Sequence, residues 1–130
     1  MKIKAQSHTY DGTGRAGFTP VEFQTQARTR AGLLKAWSTA AAIEYAHKLK
    51  FQREHDTTWC DAQAVNGIWI MEASANIGRD RYRMTAYAEK GGAVTSGIYE
   101  VSDAWKWHEY AEEADRIAAI KEKYVTSASA

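Results

Sequence analysis

"TTWCDAQAVNGIWIMEASAN", residues 57–76, decides how this chain is read. Asn66-Gly67 stands between two strand-like runs. That dipeptide suits a two-residue type I′ hairpin, because both turn positions need positive φ. Such a turn predicts the pairing: Val65 opposes Ile68, Ala64 opposes Trp69, Ala62 opposes Met71 and Cys60 opposes Ala73. One face then sets small side chains against large ones, as a packed core needs. The other sets Gln63 against Ile70 and Asp61 against Glu72, and two opposed carboxylates repel unless something offsets them.

The following strand supplies that offset. Residues 80–88 (DRYRMTAYA) alternate, with Tyr82, Met84, Ala86 and Ala88 on one side and Arg81, Arg83, Thr85 and Tyr87 on the other. Matching the apolar side to Trp69, Met71 and Ala73 predicts a four-residue loop, Asn76–Arg79, and places Arg83 opposite Glu72. Asp61, Glu72 and Arg83 then form a row across three strands. The hydrophobic match and the charge match select one register.

Working outward, residues 2–10 alternate, with Ile3, Ala5 and Ser7 inward and Lys2, Lys4, Gln6 and His8 outward. Residues 21–26 alternate too, with Val21, Phe23 and Thr25 on one side and Pro20 just ahead of the strand. Thr29 caps a helix over about 30–50. Its inner face carries Leu33, Ala36, Trp37, Ala40, Ile43 and His47, widened by Leu34 and Ala41, and the polar residues 51–57 end it. Lys90-Gly91-Gly92 marks a turn before a strand over 93–100. Ser102 caps a last helix over about 103–124, with a stripe of Trp107, Tyr110, Ala111, Ala114, Ile117, Ala118 and Tyr124. Residues 125–130 are expected to be a disordered tail. The sum is one α+β domain over 1–130, in the order β-β-α-β-β-β-β-α. It is a mostly antiparallel sheet of five or six strands, with one helix packed on it and a C-terminal helix.

A chain of 130 residues can bury an adequate core without staples. Cys60 is the only cysteine, so no intramolecular disulfide forms. No run approaches the ~20 apolar residues of a membrane span, and "MKIKAQSHTYDGTG" lacks the apolar core of a signal peptide. A cytoplasmic protein with no membrane partner is expected. Net charge is +1 and unevenly spread. Residues 1–55 hold nine basic and four acidic side chains, a net of +5; residues 56–130 hold eight and twelve, a net of −4. This polarity predicts a basic face and an acidic face.

Catalytic signatures are missing. Gly12, Gly14 and Gly17 in "DGTGRAGF" (11–18) have G-x-G-x-x-G spacing. A dinucleotide loop must open a helix whose N-terminus holds the pyrophosphate, whereas "FTPVEFQ" reads as a strand. The loop is either a hairpin connection or a close-approach site where bare backbone and Arg15 meet a partner. His8, His47, His55 and His108 lack metal-ligand spacing. Cys60 reads as a core thiol, and Asp61 with Glu72 as part of a salt-bridged row rather than an acid/base pair. No catalytic residue, cofactor or metal is assigned, and the chain reads as a binding protein rather than an enzyme. The candidate partner-binding residues are Lys2, Lys4, Arg15, Arg28, Arg30, Arg79, Arg81, Arg83, Tyr87 and Trp105. Trp105 and Trp107 lie two apart, so one narrow helical stripe cannot hold both. Trp105 is the exposed anchor, a residue type enriched at interface hot spots.

From 1 to about 88, two strands precede a helix that follows "VEFQTQARTRAGLLKAW" (21–37). A hairpin closed by "AVNGIWIMEA" (64–73) and a short basic strand come next. This order resembles small phage-encoded anti-CRISPR proteins that inhibit type I surveillance complexes. Its most specific piece is "VNGIW" (65–69), and the region from about 89 has no counterpart in that family. The resemblance implies a non-enzymatic inhibitor in the host bacterial cytoplasm, encoded by a phage or mobile element. It would dock on a Cas subunit and occlude or recruit DNA; no contact residue carries over. The alternative is a small nucleic-acid-binding module that contacts DNA or RNA through a basic sheet and helix face. Oligomeric state and the covering of the sheet's second face stay open.

Overall fold

The structure, a computed structural model, describes residues 1–10, 16–55, 67–89, 92–103 and 105–129. The elements are β1 (Lys2–Tyr10), β2 (Ala16–Gln24), α1 (Arg30–His55), β3 (Ile68–Ile77), β4 (Asp80–Glu89), β5 (Thr95–Glu100) and α2 (Trp107–Ser129). The five described strands form one antiparallel sheet in the order β2-β1-β3-β4-β5. The fold is α+β.

Alternation places the core. Ile3, Ala5 and Ser7 of β1 are buried, as are Trp69, Met71, Ala73 and Ala75 of β3, Tyr82, Met84, Ala86 and Ala88 of β4, and Ile98 of β5. These side chains share one face, and α1 lies on it with Leu33, Trp37, Ala41 and Tyr45 buried. The small residues among them let the helix come close. Two tryptophans are completely buried, and each indole N–H has a partner, as a buried donor requires. Trp37 Nε1 donates to the Thr85 carbonyl at 2.9 Å, and Trp69 Nε1 donates to Ser7 Oγ at 2.8 Å. Tyr45 stacks at a tilt on Trp69, centroids 5.2 Å apart, and donates to the Glu89 carbonyl at 3.0 Å. The helix starts at the expected cap: Gly32 N donates to Thr29 Oγ1 at 3.1 Å.

β2 is an edge strand. Met1 and Thr25 exchange both main-chain hydrogen bonds, at 2.8 and 2.9 Å. Alternation from that pair puts Pro20, opposite Gln6, at a non-hydrogen-bonded position facing the free edge. Pro20 therefore sits inside β2 rather than ahead of it. The opposite edge is blunted by α1: Arg30 Nη2 donates to the Ile98 carbonyl at 3.1 Å.

Several expectations are corrected. β3 and β4 pair two residues further along than expected, so Glu72 faces Thr85 and Ser74 faces Arg83. A two-residue shift keeps every side chain on its expected face, so hydrophobic matching could not detect it. Gly78 decides it: its φ of +61° permits a two-residue turn, Gly78-Arg79, in place of the four-residue loop. The strand expected over 58–65 lies outside the described residues. Its expected place beside β3 belongs to β1, which pairs from Tyr10 opposite Ile68 to Ala5 opposite Ala73. The expected pairing of Glu72 with Arg83 does not form, since they stand opposite Thr85 and Ser74; Asp61, the third member of the expected row, lies outside the described residues.

The helices also differ from expectation. α1 continues to His55, because Gln52, Arg53 and Glu54 are good helix formers and no glycine or proline stops them. Its buried stripe runs through Leu33, Trp37, Ala41, Tyr45 and Lys48, while Ile43 and His47 are exposed. Lys48 Nζ donates to Thr19 Oγ1 at 2.9 Å, and burial pulls its pKa down against the opposing pull of Glu44. Ser102 caps no helix. It is hydrogen-bonded to Arg81 N and donates to the Arg79 carbonyl at 3.4 Å, so α2 begins later, at Trp107. α2 runs to Ser129, across most of the residues expected to fray.

Two substitutions test this architecture. Trp37→Ala should destabilise the protein by about 3–5 kcal/mol in urea unfolding. Gly78→Ala should cost about 1 kcal/mol through backbone strain alone, since no atom lies within 4 Å of the added Cβ. Gly78→Asn should recover part of that loss, because Asn tolerates the left-handed region.

Candidate functional site

The described residues cover only half of the sheet's second face. α2 crosses it from β5 to β3. At one end the Tyr110 ring meets Tyr99, centroids 6.3 Å apart; further along, Ile117 packs on Ile68 and Ile70, bordered by Tyr87 and Ile120. Gly97 makes the first contact possible. A Cβ there would come within 2.5 Å of Tyr99 Oη, so the missing side chain lets the Tyr99 ring lie across the strand. Burial and the nearby Glu113 carboxylate raise the Tyr99 pKa. Glu113 is itself buried and ion-paired with Arg116.

Arg83 stands where this cover ends. Its Nη1 donates to Ser74 Oγ at 2.8 Å and its Nε to Tyr110 Oη at 3.3 Å. The guanidinium lies 5.9 Å from the Tyr110 ring centroid, within cation–π range. Trp107 meets the same ring edge-on at 5.2 Å. Trp107 is 51% exposed and Trp105 is 81% exposed, so a strip of Ser74, Arg83, Tyr110 and Trp107 runs from the sheet to solvent. The sequence places Trp107 in the core, and the structure corrects this. The first turn of α2 sits over β5, the last of the described strands, and no described strand lies beyond it to cover the indole.

On the other side of Arg83 is a recess of about 340 Å³ lined by Lys4, Gln6, His8, Glu72, Ala73, Ser74 and Arg83. His8 Nε2 lies 3.7 Å from Glu72 Oε2. Burial lowers the His8 pKa; Glu72 pulls it back up, and Lys121 of α2 and Arg83 push it down.

The predicted partner residues separate into groups. Continued alternation puts Lys2, Lys4, Arg81 and Arg83 on the half-open face, with Lys2 3.3 Å from Glu22. Arg79 is exposed in the turn beside them. Tyr87 lies under α2. Arg30 is spent on the β5 edge at the opposite face. Arg28 lines an open groove of about 800 Å³ with Met1, Gln24 and Gly78. Arg15 lies outside the described residues, as do Gly12, Gly14, Cys60 and Asp61. Gly17 lies inside a strand, β2, where a dinucleotide loop would open a helix, so that geometry is not met. Sequence reasoning missed Ser74, His8, Lys121, Tyr110 and Trp107 as site residues. Only the adjacent tryptophans offered a signal.

Among the described residues no three His, Cys, Asp or Glu side chains gather as metal ligands would, and no helix is long and apolar enough to cross a membrane. Comparison with known proteins finds no matching family model, curated protein or solved structure.

The His8 site has a defined pH signature. The folded state disfavours the imidazolium, so His8 contributes stability that is complete above its ordinary pKa of 6.5 and is lost as pH falls below it. By NMR, its titration midpoint should lie below 6.5. Glu72→Gln should lower it further, and Lys121→Gln should raise it. An unshifted midpoint in both variants would refute the arrangement.

Proposed function

We propose that this is a binding protein rather than a catalyst, and that it docks on a protein partner through the strip from Arg83 to Trp105. The observation that carries this reading is the unequal treatment of the tryptophans. Trp37 and Trp69 are completely buried, while Trp105 and Trp107 are exposed, with Trp107 against the Tyr110 ring that Arg83 also meets. Exposing two indoles forgoes burial that the core could use. Trp, Tyr and Arg are the residues that dominate interface hot spots. An inhibitor that blocks a host defence complex, as the anti-CRISPR resemblance implies, would work through such a surface without chemistry of its own.

A second reading is favoured by Lys2, Lys4, Arg81 and Arg83 sharing one sheet face next to exposed aromatic rings. Cations that track a backbone and rings that stack bases are the means of binding single-stranded nucleic acid. The two readings differ in salt dependence, which is steep for phosphate contacts.

Passing a tagged chain through lysates of bacteria carrying different defence systems, with and without nuclease, tests both. A stoichiometric, nuclease-resistant protein partner is expected. Trp105→Ala should weaken its capture by about 30-fold or more, the scale of a hot-spot loss, with urea stability unchanged. Recovery of nucleic acid alone would replace the first reading with the second.

A further inference from the structure

We propose that the recess between β1, β3 and β4 is a binding site for a phosphate group, held by Lys4, Ser74 and Arg83. This goes beyond the docking strip, because the recess lies on the other side of Arg83 from the tryptophans and would fill whether or not a protein partner is bound.

The donors converge from three strands. Continuing the register of β1 and β3 puts Lys4 opposite Ser74, and Ser74 is opposite Arg83. The three therefore form one row across the sheet, and all three line the recess. Arg83 is held in place from two sides, by Ser74 Oγ at 2.8 Å and Tyr110 Oη at 3.3 Å. Its fork is thus oriented before any ligand arrives, which lowers the ordering cost of binding. Ser74 Oγ accepts from Arg83, which leaves its own hydroxyl proton to donate. The Gln6 amide adds a neutral donor to the lining. A guanidinium, an ammonium and a hydroxyl around one concavity match the several acceptor oxygens of a phosphate. The volume of about 340 Å³ falls at the small end of ligand pockets, with room for the group that bears the phosphate.

The charges agree. Lys4 of β1 and Arg83 of β4 line the recess with one carboxylate, Glu72 of β3; outside the lining, Lys121 of α2 acts on His8 and Glu22 of β2 stands opposite Lys4. Glu72 is turned to His8, 3.7 Å away, and Glu22 beside Lys4 is engaged by Lys2 at 3.3 Å. A bound dianion would favour a proton on His8, since its charge opposes the cations that now disfavour the imidazolium. Phosphate-bearing ligands come from two sources, a small soluble phosphate ester or a nucleic-acid backbone, and one experiment separates them.

Inorganic phosphate is titrated into the full-length chain at constant ionic strength, with chloride as the control. Amide, Arg83 Nε–H and His8 ring signals are followed by NMR. Saturable shifts confined to the recess, with a Kd of about 1 mM or tighter and a rise in the His8 titration midpoint, are expected. Lys4→Gln and Arg83→Gln should each weaken binding about 10-fold, the loss of one charge-assisted contact. Arg83→Lys should fall between wild type and Arg83→Gln. Lys35→Gln, on exposed α1 surface, removes the same charge elsewhere and should change nothing. An added oligothymidylate that displaces phosphate identifies a backbone site; phosphate binding that it leaves untouched identifies a small-ligand site. Shifts that stay linear and match chloride would overturn the proposal, as would equal weakening by Lys35→Gln and Lys4→Gln.

Discussion

The burial of Trp37 between α1 and the sheet is the contact on which the rest of this structure depends. Its indole fills the centre of the helix–sheet interface and donates to a main-chain carbonyl of β4, so it sets both the depth and the position of the 26-residue α1. The sheet answers with small residues, Ala5, Ala73 and Ala86, that let the helix approach. Trp69 and Tyr45 extend the same layer, again with polar atoms satisfied at strand groups. An indole buried without those partners would carry an uncompensated donor, so sheet register and helix position are coupled.

That coupling leaves the two faces unequal. One long helix closes the first face. Among the described elements the second has α2, which seals Ile68 and Ile70 under Ile117. The charged side chains of β1 and β4 remain at the uncovered end, and Arg83 divides the surface there. On one side it leans on Tyr110, whose ring also meets Trp107; on the other it faces the recess with Lys4 and Ser74. Polar side chains in this half-open setting are held by hydrogen bonds yet still reached by solvent. That combination suits recognition, because ordering them has already been done by the fold.

The sequence by itself determined what alternation and local chemistry control. Period-two patterns in β1, β3 and β4 put Ile3, Trp69, Met71, Tyr82 and Met84 inside and Lys4, Arg81 and Arg83 outside, because a pleated strand has only two sides. Thr29 marked the start of α1 through a hydrogen bond made within four residues. Hydrophobic matching left the β3–β4 register open, since a two-residue slip preserves every face, and the local turn at Gly78 settles it. Tertiary structure alone decided the neighbour of β3, because pairing with β1 joins residues 58 to 68 positions apart, which no local pattern encodes. It also decided the site. Trp107 is exposed because α2 reaches the sheet's edge there, and Lys4, His8, Ser74, Arg83 and Lys121 meet because strands and a helix remote in sequence converge. Local physics fixes which way a side chain points; only the packing of distant elements fixes what it meets.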